Sequence, residues 1–131
     1  MRAVYPLRGG RALIPIFFHT ARGLVREVAE LDSGSTITVL PRSILRYIVA
    51  SPPKGRVMLM GALGEVEEAE VREVPVVVEG VQLTLNAAFS SKSESKLISV
   101  ADLAKEGFAT TFSGDSFEVL FTGCTAGFCA R

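Results

Sequence analysis

Apolar residues occur in short runs separated by glycine, proline and small polar residues, which is the pattern of strands and tight turns. Residues 11–19 read as a strand, with Pro15 marking an edge or a bulge. Ala21-Arg22-Gly23 is a hairpin turn, and residues 24–31 return as a second strand. This strand runs directly into Asp32-Ser33-Gly34-Ser35 and then the β-branched run Thr36-Ile37-Thr38-Val39-Leu40. Pro41 suits the first position of a helical turn, so residues 42–50 are predicted as a short helix with Ile44, Leu45 and Ile48 inward. Residues 56–60 form a strand and Gly61-Ala62-Leu63-Gly64 a flexible tip. Residues 65–74 return carrying Glu65, Glu67, Glu68, Glu70 and Glu73, a solvated hairpin face.

Farther along, residues 76–78 and 81–86 flank Glu79-Gly80, a two-residue hairpin signal. Residues 90–95 are a polar loop and Leu97-Ile98 a buried strand. Ser99-Val100-Ala101-Asp102 opens a short helix that Gly107 closes. Strands over residues 108–112 and 117–121 surround Ser113-Gly114-Asp115. The expectation is an all-β domain with one or two short helices.

Composition narrows the function classes. At 131 residues the chain is one domain, large enough for a core without disulfide staples. It is 48% hydrophobic and 21% charged, a globular balance. Fourteen basic residues offset fourteen acidic ones, which argues against direct nucleic-acid binding. No apolar stretch is long enough to span a membrane. The first ten residues lack the apolar stretch of a signal peptide, so a cytoplasmic location is expected. Cys124, Cys129 and the lone His19 make a poor zinc set, and neither metal nor cofactor is expected. The two cysteines could pair, although an intracellular chain favours free thiols. His19 reads as a surface or structural residue, and Met58 and Met60 suit either a cleft or the core.

The chemistry concentrates in Leu31-Asp32-Ser33-Gly34-Ser35-Thr36. A carboxylate closes an apolar strand, glycine permits a tight turn and close approach, and the Ser33 hydroxyl can brace the turn. An ordinary polar turn is the competing reading, but apolar flanks on both sides, residues 28–31 and 37–40, disfavour it.

The stretch from Leu31 to Pro41 resembles the active-site segment of retropepsin-like aspartic proteases: apolar, Asp, Thr or Ser, Gly, Ala or Ser. Residues 96–108 resemble that family's apolar pair and C-terminal helix, in the version of copia/Ty1-type retrotransposon polyproteins, with Ser99 where the family usually has glycine. Residues 56–64 stand where the family has its flap hairpin. The order and spacing fit over about residues 11–112, leaving residues 113–131 as a C-terminal extension of a single domain, residues 1–131.

The resemblance implies a closed β-barrel with a flap hairpin and one short C-terminal helix, active as a twofold homodimer. It implies an aspartic endopeptidase acting on polypeptides, and the copia-type likeness a retroelement polyprotein as substrate. Asp32, Ser33 and Gly34 would be the catalytic residues; Ser35, Met58, Met60, Gly61, Ala62, Leu63 and Gly64 would line the cleft and flap. The chemistry needs two carboxylates and the sequence has one Asp-Ser-Gly; Asp102 falls in the first turn of the predicted helix, a capping place, and Asp115 in a glycine turn. The second Asp32 would come from a symmetry mate. The alternative is a module of the same fold that dimerises or binds peptides without catalysis.

Overall fold

The computed structural model describes residues 2–61, 63–125, 128 and 129, the side chains of 124, 125, 128 and 129 excepted. Twelve strands and two short helical segments follow one another among them: β1 (Arg2–Pro6), β2 (Leu13–Thr20), β3 (Gly23–Asp32), β4 (Thr38–Pro41), a 3-10 turn (Arg42–Arg46), β5 (Gly55–Met60), β6 (Val66–Val78), β7 (Val81–Ser90), β8 (Leu97–Ser99), α1 (Val100–Lys105), β9 (Phe108–Ser113), β10 (Ser116–Phe121), β11 (Cys124–Thr125) and β12 (Phe128–Cys129). The register of β11 on β12 sets residue 124 opposite residue 129; whether their thiols are paired lies outside the described side chains.

Period-two alternation builds the barrel. Ile14, Ile16 and Phe18 of β2, Val74, Val76 and Val78 of β6, and Leu83, Leu85 and Ala87 of β7 all point inward and are buried. Hydrogen-bonded neighbours run β2-β3-β8-β4-β7-β6, and β2 also pairs with β6 at Phe17↔Val77 and Phe18↔Val76. That last pairing closes six strands into a barrel and leaves β5 as the edge strand of this sheet. β5 pairs only with β6 and stands outside the ring, forming the predicted hairpin. Between β6 and β7, Glu79 and Gly80 both adopt positive φ, 49° and 76°, the backbone of a two-residue primed turn.

Two local expectations are corrected. The helix over residues 42–50 is a single 3-10 turn, Arg42–Arg46, with Pro41 ending β4 as its cap. Ile44 and Ile48 are buried as expected, but the Val49 amide donates to the His19 carbonyl, and this tie to β2 draws the chain out of helical geometry. Nor is the glutamate-rich arm uniformly solvated. Glu68 and Glu73 are exposed beside Arg56 and Lys54, whereas Glu70 is buried with Arg42 and Arg72 on its Oε1. Glu68 and Glu70 share one face of β6, and the difference between them is that Arg42 and Arg72 converge on Glu70 and cover it.

A second sheet, β1-β10-β9, packs beside the barrel. Phe117 and Val119 of β10 and Phe108 of β9 are buried in the main core, and the Phe117 ring stacks on Tyr5 at 5.3 Å between centroids. The core therefore continues past Phe112, and residues 2–6, for which the pattern predicts no element, supply an edge strand against β10.

Candidate active site

Parallel pairing fixes where the carboxylate sits. β3 runs alongside β8 with Leu31 opposite Ile98 and Asp32 opposite Ser99. The chain then turns through residues 33–37 into β4, which pairs with β7 in parallel and touches β8 at Val39↔Leu97. Asp32 is half-buried, and its Oδ1 accepts the Gly34 amide at 2.9 Å. Ser35 Oγ donates to the Ile37 carbonyl and accepts the Ile37 amide at 3.3 Å. Behind the turn, Ser99 Oγ donates to the Ser35 carbonyl at 2.7 Å.

These contacts revise two expectations. Ser33 is exposed and its hydroxyl has no hydrogen bond among the described residues; the turn is braced by Asp32 and Ser35 instead. Gly34 does not adopt positive φ, and a Cβ placed there would meet Asp32 Oδ1 at an ordinary 3.5 Å. Among the described residues, neither backbone conformation nor a close neighbour requires glycine at this position.

The β5–β6 hairpin stands over the turn, paired from Gly55↔Val71 to Met60↔Val66. At its end Gly61 donates to the Glu65 carbonyl at 2.8 Å, and Glu65 Oε2 accepts the Leu63 amide at 3.1 Å. The Glu65 carboxylate occupies the space where a Gly61 side chain would begin, so any larger residue there would push this exposed side chain aside. Leu63 is 95% exposed, an apolar side chain held out in solvent.

A cavity of about 570 Å³ lies between hairpin and turn. Of the residues assigned from sequence, Asp32, Gly34 and Ser35 line its floor and Met58, Met60 and Gly61 its roof. Ser33, Leu63 and Gly64 are not on its wall, and Ala62 lies outside the described residues. Met58 and Met60 are 63% and 77% exposed, which decides between cleft and core.

The far wall escaped the sequence reading. Ser90, Lys92 and Ser93 face the cavity, as does Glu67. Glu67 accepts from Ser90 Oγ at 2.8 Å and from Ser91 N and Oγ, both at 2.7 Å. These three donors hold the Glu67 carboxyl below the usual carboxylate range and tie the hairpin to the wall. The serine run 90–95 was the available signal, since clustered hydroxyls seek a nearby acceptor.

Asp102 also departs from expectation. Its amide does donate the helix-capping bond, to Ser99 Oγ at 3.1 Å, but its side chain turns inward and the residue is 2% exposed. Oδ2 accepts from Thr38 Oγ1 and from the Asn86 amide, each at 3.0 Å. Burial pushes this carboxyl up, against the pull of those two donors. His19 bonds Gln82 at 2.8 Å near the β2–β3 turn, at the other end of β3 from Asp32, a structural role.

No protein-family sequence profile and no curated protein sequence matches the chain. Solved structures do. A retropepsin-like aspartic protease from Rickettsia conorii superposes with a TM-score of 0.63 at 13% identity, covering 91% of this chain and 90% of that one. A foamy viral protease-reverse transcriptase, solved with an RNA/DNA hybrid, matches with a TM-score of 0.53 at 17% identity, over 71% of this chain and 11% of that one. The prototype foamy virus protease-reverse transcriptase gives 0.52 at 22% identity over the same shares. With its six-stranded closed barrel, outstanding hairpin, paired β3–β8 and β4–β7 strands and, among the described residues, one short α-helix, this chain has a retropepsin-like fold.

Proposed function

We propose that the chain is an aspartic endopeptidase, active as a twofold homodimer in which two Asp32 carboxylates face one another. The reading is carried by the placement of Asp32 on the floor of a cavity sized for peptide side chains, beneath a hairpin with an unpaired edge. Asp32 makes no ion pair among the described residues, and its one hydrogen bond there is to the Gly34 amide. Ser33 and Gly34 are exposed beside it, leaving the turn open to a second copy.

Two carboxylates brought within a few ångströms share one proton, because both cannot be ionised together; this is a known property of aspartic proteases as a class. One carboxylate takes a proton from the attacking water while the other donates to the scissile carbonyl oxygen, giving a tetrahedral diol. Proton return to the leaving nitrogen then splits the bond. The outer edge of β5 offers main-chain donors and acceptors to an extended substrate, whose alternate side chains would meet Met58, Met60 and the Ile37–Val39 floor. A polyprotein that contains the domain itself is the substrate that the copia-type resemblance implies.

The test is Asp32→Asn. The nearly isosteric amide keeps the fold but removes the base and the shared proton. Cleavage of an unstructured polypeptide at acidic to neutral pH should vanish while peptide binding survives. Equal cleavage by both proteins would reject the dyad. Binding without cleavage by either would favour the non-catalytic module.

A further inference from the structure

A carboxylate inside a β-barrel core is costly unless every donor near it has been placed to meet it. Asp102 is such a group, and its contacts lead directly to the turn that carries Asp32. Thr38 Oγ1 spends its proton on Asp102 Oδ2, so its lone pairs remain free to accept the Ser99 amide at 3.2 Å. Ser99 in turn donates its hydroxyl proton to the Ser35 carbonyl and accepts the Asp102 amide. Asp102, Thr38 and Ser99 form one closed circuit across α1, β4 and β8, and the Ser99 hydroxyl joins it to Ser35 in the Asp32 turn.

We propose that Asp102 is the positioning residue for the Asp32 turn, acting through Thr38 and Ser99 to fix the Ser35 carbonyl and with it the direction of the Asp32 carboxylate. A hydroxyl has one proton, and its direction decides which neighbour it can serve. Without an acceptor at Oδ2, Thr38 Oγ1 can turn its proton elsewhere and lose the Ser99 amide. Ser99 is the register partner of Asp32, so a shift there moves the carboxylate itself. Asn86 adds a second anchor from β7, its amide on the same Oδ2. The charged groups around Asp102 are Lys105 and Glu106 on its own helical segment; β4 and β7 present to it only the Thr38 hydroxyl and the Asn86 amide, with Lys54 held on the Asn86 side chain. Among the described residues Asp102 makes no ion pair, and its partners are the donors of this circuit and the Asn86 amide.

The effect on rate rests on the peptidase reading, so the test has one arm that needs activity and one that does not. Asp102→Leu fills the volume without an acceptor, Thr38→Val removes the hydroxyl, and Asp102→Asn keeps a carbonyl oxygen for both donors. Val76→Ala, in the barrel core on β6, serves as a control for lost stability alone. In the first arm, Asp102→Leu and Thr38→Val should each lower kcat on the order of ten- to a hundredfold with KM little changed, as expected of a misplaced reacting group. The double variant should be no worse than either single one. Asp102→Asn should restore most of the rate, and Val76→Ala should retain it well below its melting temperature. In the second arm, hydrogen exchange at the Ser99 amide and over residues 33–37 should accelerate in Asp102→Leu and Thr38→Val but not in Asp102→Asn. Full kcat in Asp102→Leu, additive losses, or failure of the Asn variant to rescue would overturn the proposal. Unchanged exchange over residues 33–37 would overturn it whether or not the protein cleaves peptides. Faster exchange in a chain that never cleaves would sustain the positioning role and reject only the peptidase reading.

Discussion

Phe117→Ala measures how far the folded core reaches toward the C-terminus. Phe117 is 1% exposed, stacks on Tyr5 at 5.3 Å and lies 6.1 Å from Phe112. Removing a buried phenylalanine ring costs about 3–5 kcal/mol through lost transfer energy and the cavity left behind. Loss of the stacked partner adds roughly 0.5–1.5 kcal/mol. The expected total of about 3.5–6.5 kcal/mol is a large part of the roughly 5–15 kcal/mol that holds a typical domain together. Phe112→Ala supplies the contrast. That ring is 44% exposed, and its truncation should cost about 1 kcal/mol or a little more in proportion to the area it still buries. Urea unfolding followed by circular dichroism gives both numbers, at several protein concentrations so that dimerisation is separated from folding. A loss below about 1.5 kcal/mol for Phe117→Ala, or equal losses for the two variants, would refute the placement of β10 in the core.

Glu70→Gln should destabilise the protein at neutral pH by about 1–3 kcal/mol, since Arg42 and Arg72 lose a buried anion. The Arg72 hydrogen bonds, partly opposed by burial, hold the Glu70 carboxyl below its usual value, so its contribution is present above the unfolded carboxylate range and fades as pH falls through the lowered folded one. Wild type and variant should therefore converge in acid; a difference that grows in acid would contradict the pairing. Gly61→Ala should displace the Glu65 carboxylate and free the Leu63 amide, seen as faster hydrogen exchange at the hairpin end with little change in global melting temperature. Unaltered exchange at Leu63 would argue that this contact does not hold the tip.

The barrel was legible because its strands alternate cleanly. Ile14-Ile16-Phe18 and Leu83-Leu85 declare one inward face, and Glu79-Gly80 needs the positive φ it adopts. The Asp32 turn was legible as a polar interruption between apolar runs. Less visible were features that depend on partners distant in sequence. Arg2–Pro6 has no strong strand pattern and becomes a strand because β10 offers an edge. Glu67 and Ser90–Ser91 meet across 23 and 24 residues, and Thr38 and Asp102 across 64. Asp102 sits where a helix cap is expected, and only the packing of α1 against β4 and β7 turns its carboxylate inward. The brace expected of the Ser33 hydroxyl comes instead from the Gly34 amide on Asp32 and from the Ser35 hydroxyl on Ile37, neighbours one or two residues away whose roles a turn motif alone does not rank.

Subunit mixing tests the central claim, that two Asp32 side chains from two chains form one catalytic centre. Wild-type protein and Asp32→Asn are combined at constant total concentration, unfolded and refolded together to randomise the pairs, and assayed for peptide cleavage. If both carboxylates are needed, activity follows the square of the wild-type fraction, so an equal mixture retains about one quarter of full activity. Activity falling only in proportion to the wild-type fraction, to about one half in the equal mixture, would show that a single chain suffices and would contradict the shared dyad.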